Sequence, residues 1–242
     1  MKKVFTLLLL FLLFGFTFSH SIEVKKILDF VTLDNFRPFS YLEDSKKKGI
    51  DVDIVKEMCF RMEIKCNIHF EPWKRVLLSV EHGEYAGGFA GFKTPLREDY
   101  SYYLDYPFHY STYNIFVKKG REFPFEKIDD LYDKQIGINR GFTLGESFDE
   151  AAAAKKIKVQ EVDSVEVNIR KLMLNRIDGI AANYHETMMM LVNMKLLEQV
   201  HALPHPIFRP KGAYLMMSKK SEIENKEELI NQMNQVIKVM YH

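Results

Sequence analysis

Apolar and polar positions along this chain alternate between the periods of strands and helices. Residues 26–32 (KILDFVT) form a short apolar run suited to a buried strand, followed by a loop holding Pro38. Asp53 can cap a helix through Met62, with Asp51 just ahead of it. Residues 64–71 alternate as a strand. Val76, Leu77 and Val80 then recur at helical spacing over 73–82, and Gly83 falls where a left-handed cap would end that helix. Residues 86–92 read as another buried strand. This β-α-β-α-β order predicts an α/β fold with a mostly parallel sheet.

A second unit repeats the order. Strands are predicted over 113–118, 135–139, 156–162 and 179–182, and helices over 128–132, 143–154, 165–174 and 185–194. A strand over 212–218 (GAYLMMS) and a closing helix over 223–240 complete the chain. The extended runs 113–118 and 212–218 bracket the middle third. They look like crossovers between two α/β lobes, with ligand held at strand carboxyl ends in the cleft between them.

The first residues change the picture by assigning a compartment. Lys2 and Lys3 precede an almost wholly apolar stretch from 4 to 18, and Ser19-His20-Ser21 supplies cleavage-site residues. The stretch is shorter than the roughly 20 residues of a membrane span. A signal peptide over 1–21, cleaved near Ser21, and a periplasmic product are therefore expected. The leader holds two lysines and no acid, so the net charge of +1 for the whole chain becomes −1 for residues 22–242. That balance argues against nucleic acid or an anionic membrane as partner. Cys59 and Cys66 either close a small loop between a helix end and a strand start or remain two buried thiols; an oxidising compartment favours the bridge.

Candidate chemistry concentrates between Glu71 and Tyr106. Gly87-Gly88-Phe89-Ala90-Gly91 is nearly free of side chains, which would let a ligand approach the backbone. Thr94-Pro95-Leu96-Arg97 follows, and an arginine there is a permanently charged fork suited to a carboxylate. Alone, Arg97 could equally bond Glu98 or Asp105 at the surface, and Trp73 could be core or rim packing rather than a ligand wall. Met188-Met189-Met190 reads as adaptable core filling, and Asp51 and Asp53 as helix-start caps. No nucleophile motif or metal-ligand set stands out, so no catalytic residue, metal or cofactor is expected.

Several ordered motifs go beyond a generic α/β chain. PFSYLEDSKKKGIDVDIVKEM, PWKRVLLSVEHGEY, KTPLREDYSYYLDYP, IGINRGFT and NRIDGIAANYHE resemble the extracellular solute-binding proteins of family 3, over nearly all of residues 22–242. The resemblance implies a two-lobed periplasmic-binding-protein type II fold with two crossover strands. It divides the chain into one lobe of 22–114 plus 215–242 and another of 115–214. It also implies a monomer that delivers a small ligand, an amino acid or organic acid, to an inner-membrane ABC permease. Arg97 would take the ligand carboxylate with Thr143, Phe36 and Trp73 would flank its side chain, and the Gly91 carbonyl would meet its ammonium. Two departures stand out. Asn183 occupies the place where the family usually has an acid for the ammonium. The segment before Arg97 is one residue short and brings in Lys93, which would favour a more acidic ligand. The chain also stops at Met240-Tyr241-His242, where relatives usually continue by another helix. A sensory component and a dehydratase-like enzyme on the same scaffold are the alternatives.

Overall fold

A computed structural model describes residues 27–242; the predicted leader and its cleavage point lie outside the described residues. Strand β1 (Ile27–Thr32) is buried from Phe30 to Thr32, as a central strand covered on both faces must be. A small meander follows, β2 (Asn35–Phe36), β3 (Ser40–Glu43) and β4 (Lys46–Lys48). Sequence periodicity missed it because each strand is too short to show alternation. Helix α1 (Ile50–Arg61) leads to β5 (Lys65–Phe70), and α2 (Trp73–His82) to β6 (Gly87–Phe92). Gly83 ends α2 in the left-handed conformation, φ 80°, as expected. Asp51 and Asp53 do not cap α1. The helix starts at Ile50 behind Gly49 with no side-chain cap bond, and Asp51 is buried instead.

The one-turn helix α3 (Pro95–Glu98), β7 (Ser101–Tyr103) and β8 (His109–Ser111) complete the first half. After Thr112 the chain passes into a second sheet as β9 (Tyr113–Lys118). A short 3-10 turn, Ile128–Leu131, precedes β10 (Gln135–Asn139), and α4 (Glu146–Ala153), β11 (Lys158–Val162), α5 (Val165–Met173), β12 (Gly179–Asn183) and α6 (Tyr184–Asn193) follow. Strand β13 (Val200–Pro206) then pairs with β9, and the chain returns to the first sheet as β14 (Lys211–Ser218) before α7 (Lys226–Met240). The proline-bearing β13 was not predicted, because Pro204 and Pro206 argue against a strand unless it lies at an edge, which it does.

The first sheet runs β5-β1-β6-β14-β7, with β8 also on β14, and the second runs β11-β10-β12-β9-β13. Each therefore has three parallel strands beside one antiparallel strand. Phe30, Met58, Phe89, Leu215 and Met233 fill the first core. Ile115, Ile136 and Phe148, with Phe116, Ile169 and Leu191 on the other face, fill the second. Cys59 of α1 and Cys66 of β5 form a disulfide.

The glycine-rich β6 serves packing rather than an open backbone. A side chain at Gly87 would lie 2.4 Å from the Met216 carbonyl oxygen, and one at Gly91 would lie 2.6 Å from the Met216 sulfur. Between them Ala90 takes a φ of 71°, where the register with β14 slips and β6 bulges toward the cleft.

Candidate functional site

Strand ends of both sheets meet at one cavity, lined by Phe36, Trp73, Ala90, Arg97, Ser111 and Phe142, with Leu33, Phe92, Tyr113 and Thr143 beside them. Its free space, about 20 Å³ for the centre of a water-sized sphere, is roughly that of a single water. Phe142 of the second half stands edge-on to Trp73 and Phe36 of the first, with ring centroids 6.2 and 6.5 Å apart. The two halves are thus closed on each other, and a larger solute requires them to part. The cavity meets a broader groove that shares Arg97 and Thr143 and runs past Lys93 and Leu96.

Arg97 is placed by local sequence. Thr94 caps α3, its hydroxyl accepting from the Arg97 amide at 3.3 Å, and Pro95 occupies the first helical position. The Arg97 side chain is only 5% exposed. Its guanidinium donates to the Phe92 carbonyl at 3.0 Å and, across the cleft, to the Gly141 carbonyl at 3.4 Å, and its carbon lies 5.4 Å from the Trp73 ring centre. It takes part in none of the ion pairs among the described residues, neither with Glu98 nor with Asp105. A buried guanidinium without an acid calls for an anion.

Thr143 lines the cavity opposite, on the loop after β10 where Gly141 turns the chain at φ 77°. Its hydroxyl donates to Asp149, which also accepts from the Leu144 amide at 3.1 Å. The expected helix from 143 accordingly begins at Glu146, and the Thr143 hydroxyl oxygen keeps its acceptor side free.

Three other predicted residues stand apart from the cavity lining. Gly91 is packed against Met216. Lys93 sits at the mouth, 3.2 Å from Glu98 and above the Tyr103 ring. Asn183 is fully buried at the start of α6, where its Oδ1 accepts from the Glu186 amide at 3.0 Å. Its Nδ2 donates to Ser111 Oγ at 2.9 Å, and Ser111 does line the cavity.

Sequence reasoning missed a polar chain that ends at this serine. His109 Nε2 lies 2.9 Å from Ser111 Oγ, and His109 Nδ1 lies 2.8 Å from Asp51 Oδ1. Phe39 stacks on the imidazole at 3.5 Å. Asp51 is wholly buried, and desolvation pushes its carboxyl above the usual range while the His109 hydrogen bond opposes that shift. Glu186 is also buried and is pushed up to about 8 by burial. Asp51 Oδ2 and Glu186 Oε2 have no hydrogen-bond partner among the described residues. The alternation of His109 and Ser111 on one strand was the available signal, but 58 residues separate His109 from Asp51. Phe142 and Tyr113 were missed as walls; Phe142 sat in view beside Thr143 in IGINRGFT.

Known proteins share this organisation. A probable histidine-binding protein of Campylobacter jejuni is 25% identical over 63% of this chain, and the match spans 58% of that relative, less than two thirds of its length. ABC transporter arginine-binding protein 1 of Escherichia coli is 24% identical over 74% of this chain and 70% of its own. The solved structure of an ancestral arginine-binding protein bound to arginine superposes with a TM-score of 0.76 at 19% identity, covering 89% of this chain and 92% of that one. A histidine kinase sensor domain similar to periplasmic binding proteins reaches 0.78 at 11% identity, covering 90% of this chain and 92% of that one. Residues 28–242 match the sequence profile of the bacterial extracellular solute-binding proteins, family 3, and with the two-lobed α/β fold this chain belongs to that family.

Proposed function

We propose that this protein captures a small polar, carboxylate-bearing solute, an amino acid, by closing a lobe of residues 22–114 and 215–242 on a lobe of residues 115–214. It acts as an exported monomer that hands the solute to an inner-membrane ABC permease. One observation carries the reading: Arg97 is buried at the cavity with carbonyl hydrogen bonds and no acidic partner among the described residues. The ligand carboxylate would complete that guanidinium, the Thr143 region would close over it from the other lobe, and Phe36, Trp73 and Phe142 would hold the side chain. Contacts made only when both lobes touch the solute favour the closed state. Lys93 offers a second cation at the mouth for acidic solutes.

Calorimetric titration with the twenty common L-amino acids tests this. At least one is expected to bind, and Arg97→Ala should weaken it by roughly 100-fold or more, as loss of a buried charge partner does. Binding unchanged in that variant would refute the assignment. The likeness to a kinase sensor domain favours a second reading, in which the closed form signals to a membrane receptor. Binding of the liganded protein to permease-containing membrane rather than to receptor-containing membrane separates the two.

A further inference from the structure

The polar chain behind Ser111 can be read by counting protons. Asn183 Oδ1 is occupied by the Glu186 amide, so the amide orientation is fixed and Nδ2 must donate to Ser111 Oγ. A hydroxyl has one hydrogen and two lone pairs. Asn183 uses one lone pair and His109 Nε2 engages another position, which leaves one for the cavity.

That last position depends on the Asp51–His109 pair. When the pair holds no extra proton, Asp51 takes the Nδ1 hydrogen, Nε2 accepts the serine hydrogen, and a lone pair faces the cavity. When the pair holds one extra proton, Nε2 carries a hydrogen and donates it to Ser111. This is so whether the proton is assigned to the carboxyl oxygen facing Nδ1 or to the imidazole. The serine hydrogen must then point into the cavity. Burial of Asp51 favours the protonated, neutral pair in the empty site. A ligand ammonium requires the opposite state, because it needs an acceptor and a compensating negative charge, and Asn183 carries none.

We propose that amino-acid capture is proton-coupled: the Asp51–His109 pair releases its proton when the ligand ammonium takes the free lone pair of Ser111. The proposal rests on the amino-acid reading above. Ser111 is the binding residue, and His109 and Asp51 position and polarise it. A ligand without the amine leaves the proton in place. The other titratable or charged groups packed around the relay are Glu186 on α6, Tyr113 on β9, Arg97 on α3 and Tyr241 just after α7. Tyr241 is pushed up to about 12 and Tyr113 well above its ordinary value, so neither titrates near neutrality. Glu186, pushed up to about 8, is the only competing proton source among them.

Titration calorimetry at pH 7.2 in PIPES and in Tris, which differ in ionisation enthalpy, counts the protons released. The probes are the twenty L-amino acids and, for each that binds, the 2-hydroxy acid with the same side chain. Release of up to one proton is expected for the amino acid and none for the hydroxy acid. Release should vanish in Ser111→Ala and in His109→Gln and persist in Glu186→Gln. Affinity for the amino acid should rise with pH wherever binding releases a proton, by at most about tenfold per unit, and that rise should flatten in His109→Gln. Amino-acid binding without proton release would overturn the proposal while leaving the amino-acid reading intact. Release lost only in Glu186→Gln would overturn it in favour of that carboxyl. Binding of none of the amino acids would overturn both.

Discussion

The two lobes share one topology and treat buried polarity differently. Each places three parallel strands beside an antiparallel strand supplied by the other crossing, β14 in the first and β9 in the second. The first lobe carries the disulfide and the unpaired cation Arg97, held by the Thr94 cap and the Phe92 carbonyl. Among the described residues, its only buried side-chain oxygen without a hydrogen-bond partner is Asp51 Oδ2. The second lobe has no disulfide and keeps Asn139, Asn168 and Glu186 buried with unpartnered atoms. The difference teaches that one lobe is a braced platform for the charged grip. The other is a cap without a covalent brace that keeps more buried side-chain polar atoms unpartnered among the described residues.

Alanine at Phe148 tests the cap most severely. The side chain is 1% exposed in the second core, so about 3–5 kcal/mol of stability should be lost. Urea unfolding followed by circular dichroism measures it, and a loss under 1 kcal/mol would mean that core relaxes freely.

The next largest effect concerns pH. Glu186 is raised from an unfolded value of 4.5 to about 8, so the folded state binds more protons between those values. Its stabilising contribution is therefore complete below pH 4.5 and lost as pH rises through 8, by an amount of order 3–5 kcal/mol at most. Glu186→Gln should remove that slope, and thermal melts of both proteins at pH 6 and pH 9 compare them. Equal pH dependence in the two would show that Glu186 is solvated.

Bracing of the platform should be worth less. Reduction of the Cys59–Cys66 bridge, or replacement of both cysteines by serine, should cost about 2–3 kcal/mol. Differential scanning calorimetry with and without reductant reads this directly, and an unchanged melting temperature would remove the contrast between the lobes. Smallest is the start of α5, where Ser164 accepts from the Val167 amide. Ser164→Ala should cost about 1 kcal/mol, again by urea unfolding, and no measurable loss would mean water replaces the cap.

The parallel α/β order was legible because helices and long strands impose their periods over many residues. Residues 73–82, 113–118 and 135–139 were read with the bounds the structure shows. The meander β2–β4 and the strands β7 and β8 were not, since two to four residues carry no period. Of the residues expected at the candidate site, Arg97, Trp73, Phe36 and Thr143 line one cavity. Gly91, Lys93 and Asn183, expected there too, lie behind the lining or at its mouth.

The sequence by itself determined the alternation of elements, the spacing of two cysteines that could pair, and an arginine set after a glycine-rich turn. Those features are local, encoded in spacing, caps and side-chain type. Only the tertiary structure decided that Met216 fills the space over the glycine strand, that Phe142 closes on Trp73, and that Asp51 lies behind His109 and Ser111. Each of these joins residues far apart in the chain. Burial, which removes competing water, gives such contacts their strength, and burial is set by the packed fold rather than by any one segment.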